Sequence, residues 1–290
     1  MIQDWYDTYR WKVDSAIAEY FDRRYNSLVT AKEKEFQEAL RYAVEGKGKR
    51  IRVILSMIIY EELMGLPADV ILNYLIGIEF IHAYSLVHDD LPAMDNDEFR
   101  RGELTVWKKY GETIGILVGD ALQSMGIECL AEAKNADVIL EITRAIGDMG
   151  MVRWQVRDIG EDHMHIDQKE IIRLHDEKTG RLFTASLLIG ANLAWAWDTH
   201  MIEQLRWFWV LLGRAFQVRD DILDYEWDRD IVWKAIGKDV AKHKGIVAFM
   251  GIERAKKLLS DLEYALLETS NTFQTSKFSD IVEYVVGRVK

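Results

Sequence analysis

Apolar residues recur at spacings of three and four along almost the whole chain, which is the period of an amphipathic α-helix. Ile71, Leu75 and Ile78 illustrate the pattern. The chain contains only two prolines, Pro67 and Pro92, which are too few for the many turns of a β-sandwich and leave room for long helices. The sequence therefore predicts an all-α protein.

Glycine breaks and losses of periodicity divide the pattern into about ten or more helices. No low-complexity linker or fixed repeat interrupts them, and 290 residues is near the upper limit for one hydrophobic core. We therefore expect one domain over residues 1–290. The predicted helices, with ends uncertain by a few residues, are Asp4–Asn26, Val29–Glu45, Arg50–Met64, Ala68–Leu91, Thr113–Ala133, Ala136–Asp158, Gln168–His175, Lys178–Trp197, His200–Tyr225, Gly251–Thr269 and Lys277–Val289.

Net charge and cysteine content exclude several classes of partner. The formal charge of -11 argues against broad binding to nucleic acid or anionic membrane, so an anionic ligand must meet a local basic cluster. Cys129 is the only cysteine and cannot form an intramolecular disulfide. The first residues carry Asp4 and Asp7 instead of a basic leader, and no stretch approaches the roughly 18–20 apolar residues of a membrane span. A cytoplasmic protein without membrane insertion is expected.

The second of two acidic motifs is Asp220-Asp221-Ile222-Leu223-Asp224. Its first and last carboxylates are four residues apart, so on a helix they project from one face, about one turn apart. Like charges placed in this way repel one another unless a cation lies between them. Magnesium prefers hard oxygen ligands and is typically held by one or two carboxylates together with phosphate oxygens. The spacing therefore favours a magnesium ion that bridges protein and phosphate.

The first acidic motif contains Asp89, Asp90 and Asp95. Asp89 and Asp95 would diverge on a regular helix, but Pro92 disfavours its continuation. The helix is therefore expected to end there and let Asp95 return beside Asp89. Two such motifs on separate helices suggest a facing pair. Taken alone, either motif is also compatible with a solvated helix face.

A basic run, Lys47-Gly48-Lys49-Arg50-Ile51-Arg52, begins a predicted helix after a glycine break. Free backbone N–H groups and the helix dipole favour an anion at such a position, and arginine forks bind phosphate in two-pronged fashion. The alternative is an exposed helix start with solvated charges.

Taken in order, these segments resemble the trans-isoprenyl diphosphate synthase family, also called polyprenyl synthetases. The resemblance covers essentially the whole chain. It is carried by Ile81–Asp97 with Arg100-Arg101-Gly102, by Lys178-Thr179-Gly180 and by Phe216–Asp224. The late phosphate-binding positions of the family match Lys234, Gly237, Asp239 and Lys244.

The resemblance implies an isoprenoid synthase fold, in which helices surround a central cavity, and about three magnesium ions around an allylic diphosphate. The implied metal ligands are Asp89, Asp95 and Asp220, supported by Asp90, Asp221 and Asp224. The implied contacts to the allylic substrate are Arg100, Lys178, Thr179, Gln217, Lys234 and Lys244. The implied site for isopentenyl diphosphate, which needs no metal, consists of Lys49, Arg52, His82 and Arg101.

The reaction implied for the family ionises the carbon–oxygen bond of the allylic diphosphate, so that preplaced cations must meet the growing negative charge. The double bond of isopentenyl diphosphate attacks the allylic cation, and a proton then leaves to the released diphosphate. Arg100, Lys178, Thr179 and Gln217 would be the catalytic residues, the last three by steadying the cation with their dipoles. The family forms homodimers through two long helices per subunit, and the ten tryptophans here suit such an interface.

Product length is expected to depend on Tyr84 and Ser85, about one helical turn before Asp89. This pair resembles the farnesyl-forming members of bacteria and predicts a C15 product. Arg153-Trp154 replaces two glycines usual in the family, and Trp154 could set the cavity floor instead. The chain also departs from the family at Trp227-Asp228, after the second motif, and around Gly245-Ile246, after the late lysine.

Three alternatives remain. The first is a geranylgeranyl diphosphate synthase, and the second is a non-catalytic partner subunit, which would be expected to lack carboxylates that this chain retains. The third is a terpene cyclase, which would need neither a second acidic motif nor the basic set for isopentenyl diphosphate.

Overall fold

The computed structural model describes residues 2–25, 30–46, 48–160, 181–195, 199–234, 246–273 and 275–287. These residues are almost entirely helical, as the sequence predicts. The helices are α1 Ile2–Arg24, α2 Ala31–Glu45, α3 Ile51–Met64, α4 Leu72–Asp89, α5 Val106–Tyr110, α6 Glu112–Ala131, α7 Ala136–Ile146, α8 Met151–Gly160, α9 Arg181–Leu193, α10 Thr199–Lys234, α11 Ile246–Met250, α12 Ile252–Ser270 and α13 Lys277–Gly287. A short 3₁₀ helix, Ala68–Ile71, precedes α4, and an antiparallel hairpin pairs β1 Phe99–Arg100 with β2 Glu103–Leu104.

One predicted helix is wrong, because Ala136–Asp158 forms two helices, α7 and α8. They are separated by a tight turn in which the N–H of Gly150 donates to the carbonyl oxygen of Gly147 (2.9 Å). A Cβ atom on Gly150 would lie 2.0 Å from the carbonyl oxygen of Ala145, so this turn requires glycine. Periodicity continues across the break and therefore did not reveal it.

The other boundaries agree to within a few residues, except that α10 continues nine residues beyond the predicted end at Tyr225. Two short helices, α5 and α11, and the hairpin were not predicted. The predicted helix Gln168–His175 and the first residues of the predicted helix Lys178–Trp197 lie outside the described residues.

The chain divides into two compact units. The N-terminal unit contains residues 3–143 and 186–196, and the C-terminal unit contains residues 1–2, 144–185 and 197–290. The expectation of one domain over 1–290 stays a prediction.

The core of the N-terminal unit is built on the contact between α4 and α6, whose backbones pack closely against each other. A Cβ atom on Gly77 would lie 2.4 Å from the carbonyl oxygen of Gly126, and one on Gly126 would lie 2.5 Å from Cγ1 of Ile81. Further along, the His88 ring covers Gly119, where a Cβ atom would lie 2.0 Å from Nε2. Larger side chains cannot enter these contacts without moving a helix, so they fix how α4 is turned towards α6.

Two helical stretches, Ala68–Asp89 and Glu112–Ala131, are long and apolar enough to cross a membrane. The expectation that no stretch is long enough is therefore corrected for α4 and α6. Length and composition are weak evidence, because buried core helices pass the same test. The two helices pack against each other, and α4 carries Glu79, which is 4% exposed and ion-paired with Arg50. Burial in this unit accounts for the apolar character of α4.

In the C-terminal unit, the long helix α10 packs against α12 and α13. Its inner face contributes Phe208 and Trp209, whose side chains are fully buried. The Phe208 ring meets Phe278 edge to face, with centroids 5.4 Å apart, and Phe273 stacks on Phe278 with centroids 4.1 Å apart. Such aromatic contacts anchor α10, which carries the second acidic motif in a later turn.

Candidate functional site

The first acidic motif forms a compact loop at the end of α4. Asp89 is the last helical residue, and the N–H of Asp95 donates to its carbonyl oxygen (2.9 Å). The N–H groups of Met94 and Asn96 both donate to the carbonyl oxygen of Leu91 (2.9 and 3.1 Å). These bonds confirm that the helix ends here and that the chain returns, which brings Asp95 back beside Asp89.

Asp90 is held by Arg100 and joins the hairpin to the end of α4. The Nε atom of Arg100 lies 2.8 and 3.0 Å from the two carboxylate oxygens, and Nη2 lies 2.7 Å from Oδ1. Burial raises the pKa of Asp90, and the hydrogen bonds from Arg100 oppose that rise. The two-pronged pair stabilises the ionised form of Asp90. Both oxygens of Asp90 are thus engaged by the protein, while its supporting role at a metal stays a prediction.

The hairpin turn places Arg101 in an unusual backbone conformation. Arg101 and Gly102, the two central residues, both have positive φ (54° and 82°), as a type I′ turn requires. A side chain other than that of Gly, Asn or Asp is uncommon there and costs roughly 1 kcal/mol. The Thr105 hydroxyl and the Trp107 indole N–H, each 2.8 Å from the carbonyl oxygen of Asp97, secure the base of the hairpin.

A basic cluster lies about two turns before the end of α4, around His82. Burial and the nearby guanidinium groups, chiefly those of Arg52 and Arg101, lower the pKa of His82 well below its ordinary value. Burial likewise lowers the pKa of Arg52 to about 10, although Glu79 opposes the effect. Three of the four residues predicted for isopentenyl diphosphate are therefore brought together, with His82 neutral. The fourth, Lys49, is exposed in the segment before α3.

Glu79 was not singled out from the sequence, and Arg50 was named only as part of the basic run. Arg50 and Glu79 are almost fully buried, and Nη1 of Arg50 lies 3.1 Å from Oε2 of Glu79. Nε of Arg50 also lies 2.7 Å from Oδ1 of Asp14 on α1. The signal that could have revealed the pair is a glutamate within the apolar run of α4, because a buried carboxylate needs a partner.

The second acidic motif lies on one continuous helix, α10. Asp220 and Asp224 are four residues apart within it and so share a face, as predicted, although the Asp224 side chain lies outside the described residues. The Gln217 amide donates to Oδ1 of Asp221 (3.0 Å), and the N–H of Ile246 donates to Oδ2 (2.8 Å). Asp221 thus ties the start of α11 to α10.

The donor set at the end of α4 suits magnesium. Among the described residues, no group of three or more His, Cys, Asp or Glu side chains is placed to hold a metal ion by itself. Magnesium, however, is usually held by one or two carboxylates and completed by water and phosphate oxygens. Asp89 and Asp95 supply hard oxygen donors of this kind. The residues present therefore fit an ion whose remaining ligands come from a substrate.

The residues predicted to set product length occupy different faces of α4. Ser85, four residues before Asp89, lies about 40° from it around the helix, whereas Tyr84 lies about 140° away. Tyr84 is buried against α6, where its hydroxyl is hydrogen-bonded to Gln123 and its ring meets His88 edge to face with centroids 6.0 Å apart. Ser85 thus lies beneath Asp89, while Tyr84 fills the gap between α4 and α6.

The remaining predicted site residues are placed only in part. Trp154 is half-buried on α8 in the C-terminal unit, and Trp227-Asp228 falls within α10. Lys234 is the last residue of α10, and its side chain lies outside the described residues. Lys178, Thr179 and Lys244 lie outside them altogether.

Comparison with known proteins gives a family for this architecture. The family model described as polyprenyl synthetase matches residues 33–285. The chain belongs to the polyprenyl synthetase family. Among its relatives in this family, the farnesyl diphosphate synthase of Micrococcus luteus is 36% identical over 264 residues, 87% of this chain and 89% of that protein.

Other members of the family are similar over comparable lengths. The large subunit 1 of the heterodimeric geranylgeranyl pyrophosphate synthase of Arabidopsis thaliana is 34% identical over 281 residues, 91% of this chain and 75% of that protein. A solved structure of an FPP/GFPP synthase from Zymomonas mobilis is 29% identical and superposes with a TM-score of 0.83 over 99% of this chain and 100% of its own. The expected isoprenoid synthase fold is confirmed.

Proposed function

We propose that this chain, a trans-prenyl diphosphate synthase by its family, condenses isopentenyl diphosphate with dimethylallyl or geranyl diphosphate to give farnesyl diphosphate. The observation that carries the proposal is the arrangement of α4. Its end presents Asp89 with Asp95, which suit a metal-bound diphosphate, while His82 lies seven residues earlier among arginines that suit a metal-free one. Two separate diphosphate sites are what a condensation of two diphosphates requires.

The residues of the chain would bind the diphosphates and balance their charge, and none would act as a nucleophile. Asp89, Asp95 and Asp220 would position the allylic diphosphate together with about three magnesium ions, which when bound neutralise the negative charge of the leaving group. Arg100, fixed by Asp90, would add a donor to the departing oxygens. The carbon–oxygen bond breaks, and the double bond of isopentenyl diphosphate forms the new carbon–carbon bond. The proton lost afterwards goes to the released diphosphate.

Other residues would hold and shield the reacting groups. Arg52, His82 and Arg101, with Lys49, would orient isopentenyl diphosphate. The Gln217 amide nitrogen donates to Asp221, which points its carbonyl oxygen away from that carboxylate and makes its dipole suitable for an allylic cation. Lys178 and Thr179 would complete this side, and Lys234 and Lys244 would contact the allylic diphosphate.

The C15 product is proposed from Tyr84 and Ser85, and geranylgeranyl diphosphate is the second candidate. The second candidate is supported by relatives named as geranylgeranyl pyrophosphate synthases, which are 34–38% identical to this chain and so as similar as several farnesyl synthases. A non-catalytic partner subunit is disfavoured because both acidic motifs are complete.

The direct test is incubation of the purified protein with magnesium, isopentenyl diphosphate and, separately, each of the C5, C10 and C15 allylic diphosphates. We expect the C5 and C10 primers to be extended to farnesyl diphosphate, and chelation of the metal to stop turnover. No consumption of isopentenyl diphosphate with any primer would reject the proposed synthase activity.

The KM values for the two substrates should depend on different basic residues. We expect Arg52→Ala to raise KM for isopentenyl diphosphate by about tenfold or more, because it removes a buried two-pronged donor, and to leave KM for the allylic substrate within about twofold. Lys178→Ala should show the opposite pattern. Initial rates at varied concentrations of each substrate measure both effects, and equal effects on the two KM values would show that the pockets are assigned wrongly.

We also propose a homodimer. The support is the exposure of large apolar side chains on α6 and α7, where Ile116, Leu117 and Leu140 are 43–48% exposed. Sedimentation velocity at micromolar concentration should give a species of about twice the chain mass of 33.7 kDa. Ile116→Glu should shift it towards monomer, whereas a monomer in the unmodified protein would remove the proposal.

A further inference from the structure

The N-terminal helix α1 contacts the segment that carries the predicted isopentenyl diphosphate ligands. The Tyr6 hydroxyl donates to the carbonyl oxygen of Lys49, and Asp14 accepts a hydrogen bond from Nε of Arg50 (2.7 Å). Lys49 and Arg52 lie on either side of Arg50 in the sequence. The family model begins at residue 33, so α1 makes these contacts from outside the matched region.

Arg50 connects this segment to the surrounding helices. Besides Asp14, its guanidinium group donates to Glu79 on α4 (3.1 Å) and to the carbonyl oxygens of Val44 (2.7 Å) and Gly46 (3.2 Å). It lies so close to Gly48 that a Cβ atom there would be 2.4 Å from Nη1. Arg50 therefore has little freedom to move, because four acceptors and the backbone of Gly48 surround its side chain.

The backbone at Arg50 needs these contacts. Arg50 is the residue before the first turn of α3 and has a φ of 52°, a left-handed conformation that is unfavourable for an arginine. Strained backbone of this kind persists where surrounding contacts over-determine it. The side-chain bonds of Arg50 supply such contacts and so set the direction in which α3 begins, two residues before Arg52.

The same network balances charge. Glu79 is 4% exposed and attracts the guanidinium groups of Arg52 and Arg101 as well as that of Arg50. The arginines, in contrast, repel one another. A cluster of guanidinium groups without an anion tends to spread apart. A buried carboxylate behind the cluster, fixed through Arg50 to Asp14, keeps the donors together before a diphosphate arrives.

We propose that α1 is a positioning element for the isopentenyl diphosphate site, in which Tyr6 and Asp14 hold the Lys49–Arg50 segment so that Lys49 and Arg52 converge on the diphosphate. The inference rests on the proposed function. Tyr6 and Asp14 are positioning residues and touch no substrate themselves.

The test is steady-state kinetics of the full-length enzyme with Asp14→Asn and Tyr6→Phe. We expect each variant to raise KM for isopentenyl diphosphate by about 3–10-fold, the effect of losing one hydrogen bond, while kcat and KM for the allylic substrate stay within about twofold. Asp14→Glu keeps the charge and should restore most of the affinity. Tyr6→Phe removes one hydroxyl and provides a second readout if Asp14→Asn lowers the stability of the protein.

The matched control is Asp69→Asn. It removes another ion pair of α1, because Asp69 lies 2.8 Å from Nζ of Lys12, but it does not touch the segment before α3. We expect it to leave both KM values unchanged, and thermal unfolding of all variants separates loss of stability from loss of affinity.

The outcomes distinguish the inference from the proposed function. If Arg52→Ala raises KM for isopentenyl diphosphate but Asp14→Asn and Tyr6→Phe do not, the inference is overturned and the pocket remains. Equal changes in both KM values, or the same change from Asp69→Asn, also overturn it. If Arg52→Ala itself has no effect on that KM, the proposed pocket is wrong.

Discussion

Asp89→Ala and Asp220→Ala are each expected to lower kcat by at least about 10²–10³-fold. Each change removes a carboxylate from the set proposed to hold the cations that meet the charge of the departing diphosphate, so negative charge would be left unmatched as the carbon–oxygen bond breaks. The loss should persist at saturating magnesium, because an ion added in excess cannot replace a missing ligand geometry. Initial rates at saturating concentrations of both substrates measure it.

Folding should survive both substitutions, because neither carboxylate lies in the buried core. Thermal unfolding followed by circular dichroism provides that check. The matched control is Asp261→Ala on α12, an exposed aspartate whose partner is Lys257 (3.3 Å) and which should keep normal turnover. Near-normal kcat in Asp89→Ala or Asp220→Ala at saturating magnesium would show that the two-motif assignment is wrong.

Tyr84→Ala is expected to lengthen the product from C15 towards C20 or beyond. Tyr84 is 7% exposed and fills the space between α4 and α6, so removal of its ring leaves a cavity about one helical turn before Asp89. We propose that the growing tail descends past this turn from the bound diphosphate. Ser85→Phe should act in the opposite sense and shorten the product towards C10. Its ring would enter directly below Asp89, since Ser85 lies about 40° from that residue around the helix.

Chromatography of the dephosphorylated products measures both changes, with Tyr84→Phe as the control. This variant keeps the ring and loses only the hydroxyl that is hydrogen-bonded to Gln123. It should therefore retain the C15 product if the size of the ring is what ends chain elongation. Chiefly C20 from the wild type, or an unchanged product from Tyr84→Ala, would remove Tyr84 from this role. Trp154→Gly is then the next variant to measure, because Trp154 could form the floor instead.

The parts of the fold that were predicted are those governed by local pattern. Helix α10 could be recognised from its apolar spacing, and the end of α4 from Pro92 just beyond Asp89. The return of Asp95 to Asp89 followed from the same reasoning and is confirmed by a backbone hydrogen bond. These features depend on residues close together in sequence, where spacing alone carries the information.

The parts that were missed depend on contacts between distant residues. The ion pairs of Arg50 join positions 36 and 29 residues apart, to Asp14 and Glu79, and no periodicity indicates such partners. The engagement of Asp221 by Ile246 likewise spans 25 residues. The turn at Gly150 was hidden for another reason, because the apolar spacing of α7 continues into α8.

The glycine contacts between α4 and α6 fix the position of α4, so distances along this helix are set by its residue count. An α-helix rises 1.5 Å per residue, so the seven residues from His82 to Asp89 separate the two proposed diphosphate sites by about 10.5 Å along the axis. The close contacts at Gly77 and Gly126 leave no room for a larger side chain and so oppose sliding or rotation of α4 against α6. The proposed spacing of the two substrates is therefore set by the number of residues between His82 and Asp89, and insertion of one residue there would rotate one site by about 100° relative to the other. On the proposed function, substitutions of side chains on this helix can change the product, whereas the number of residues between the two sites must stay the same.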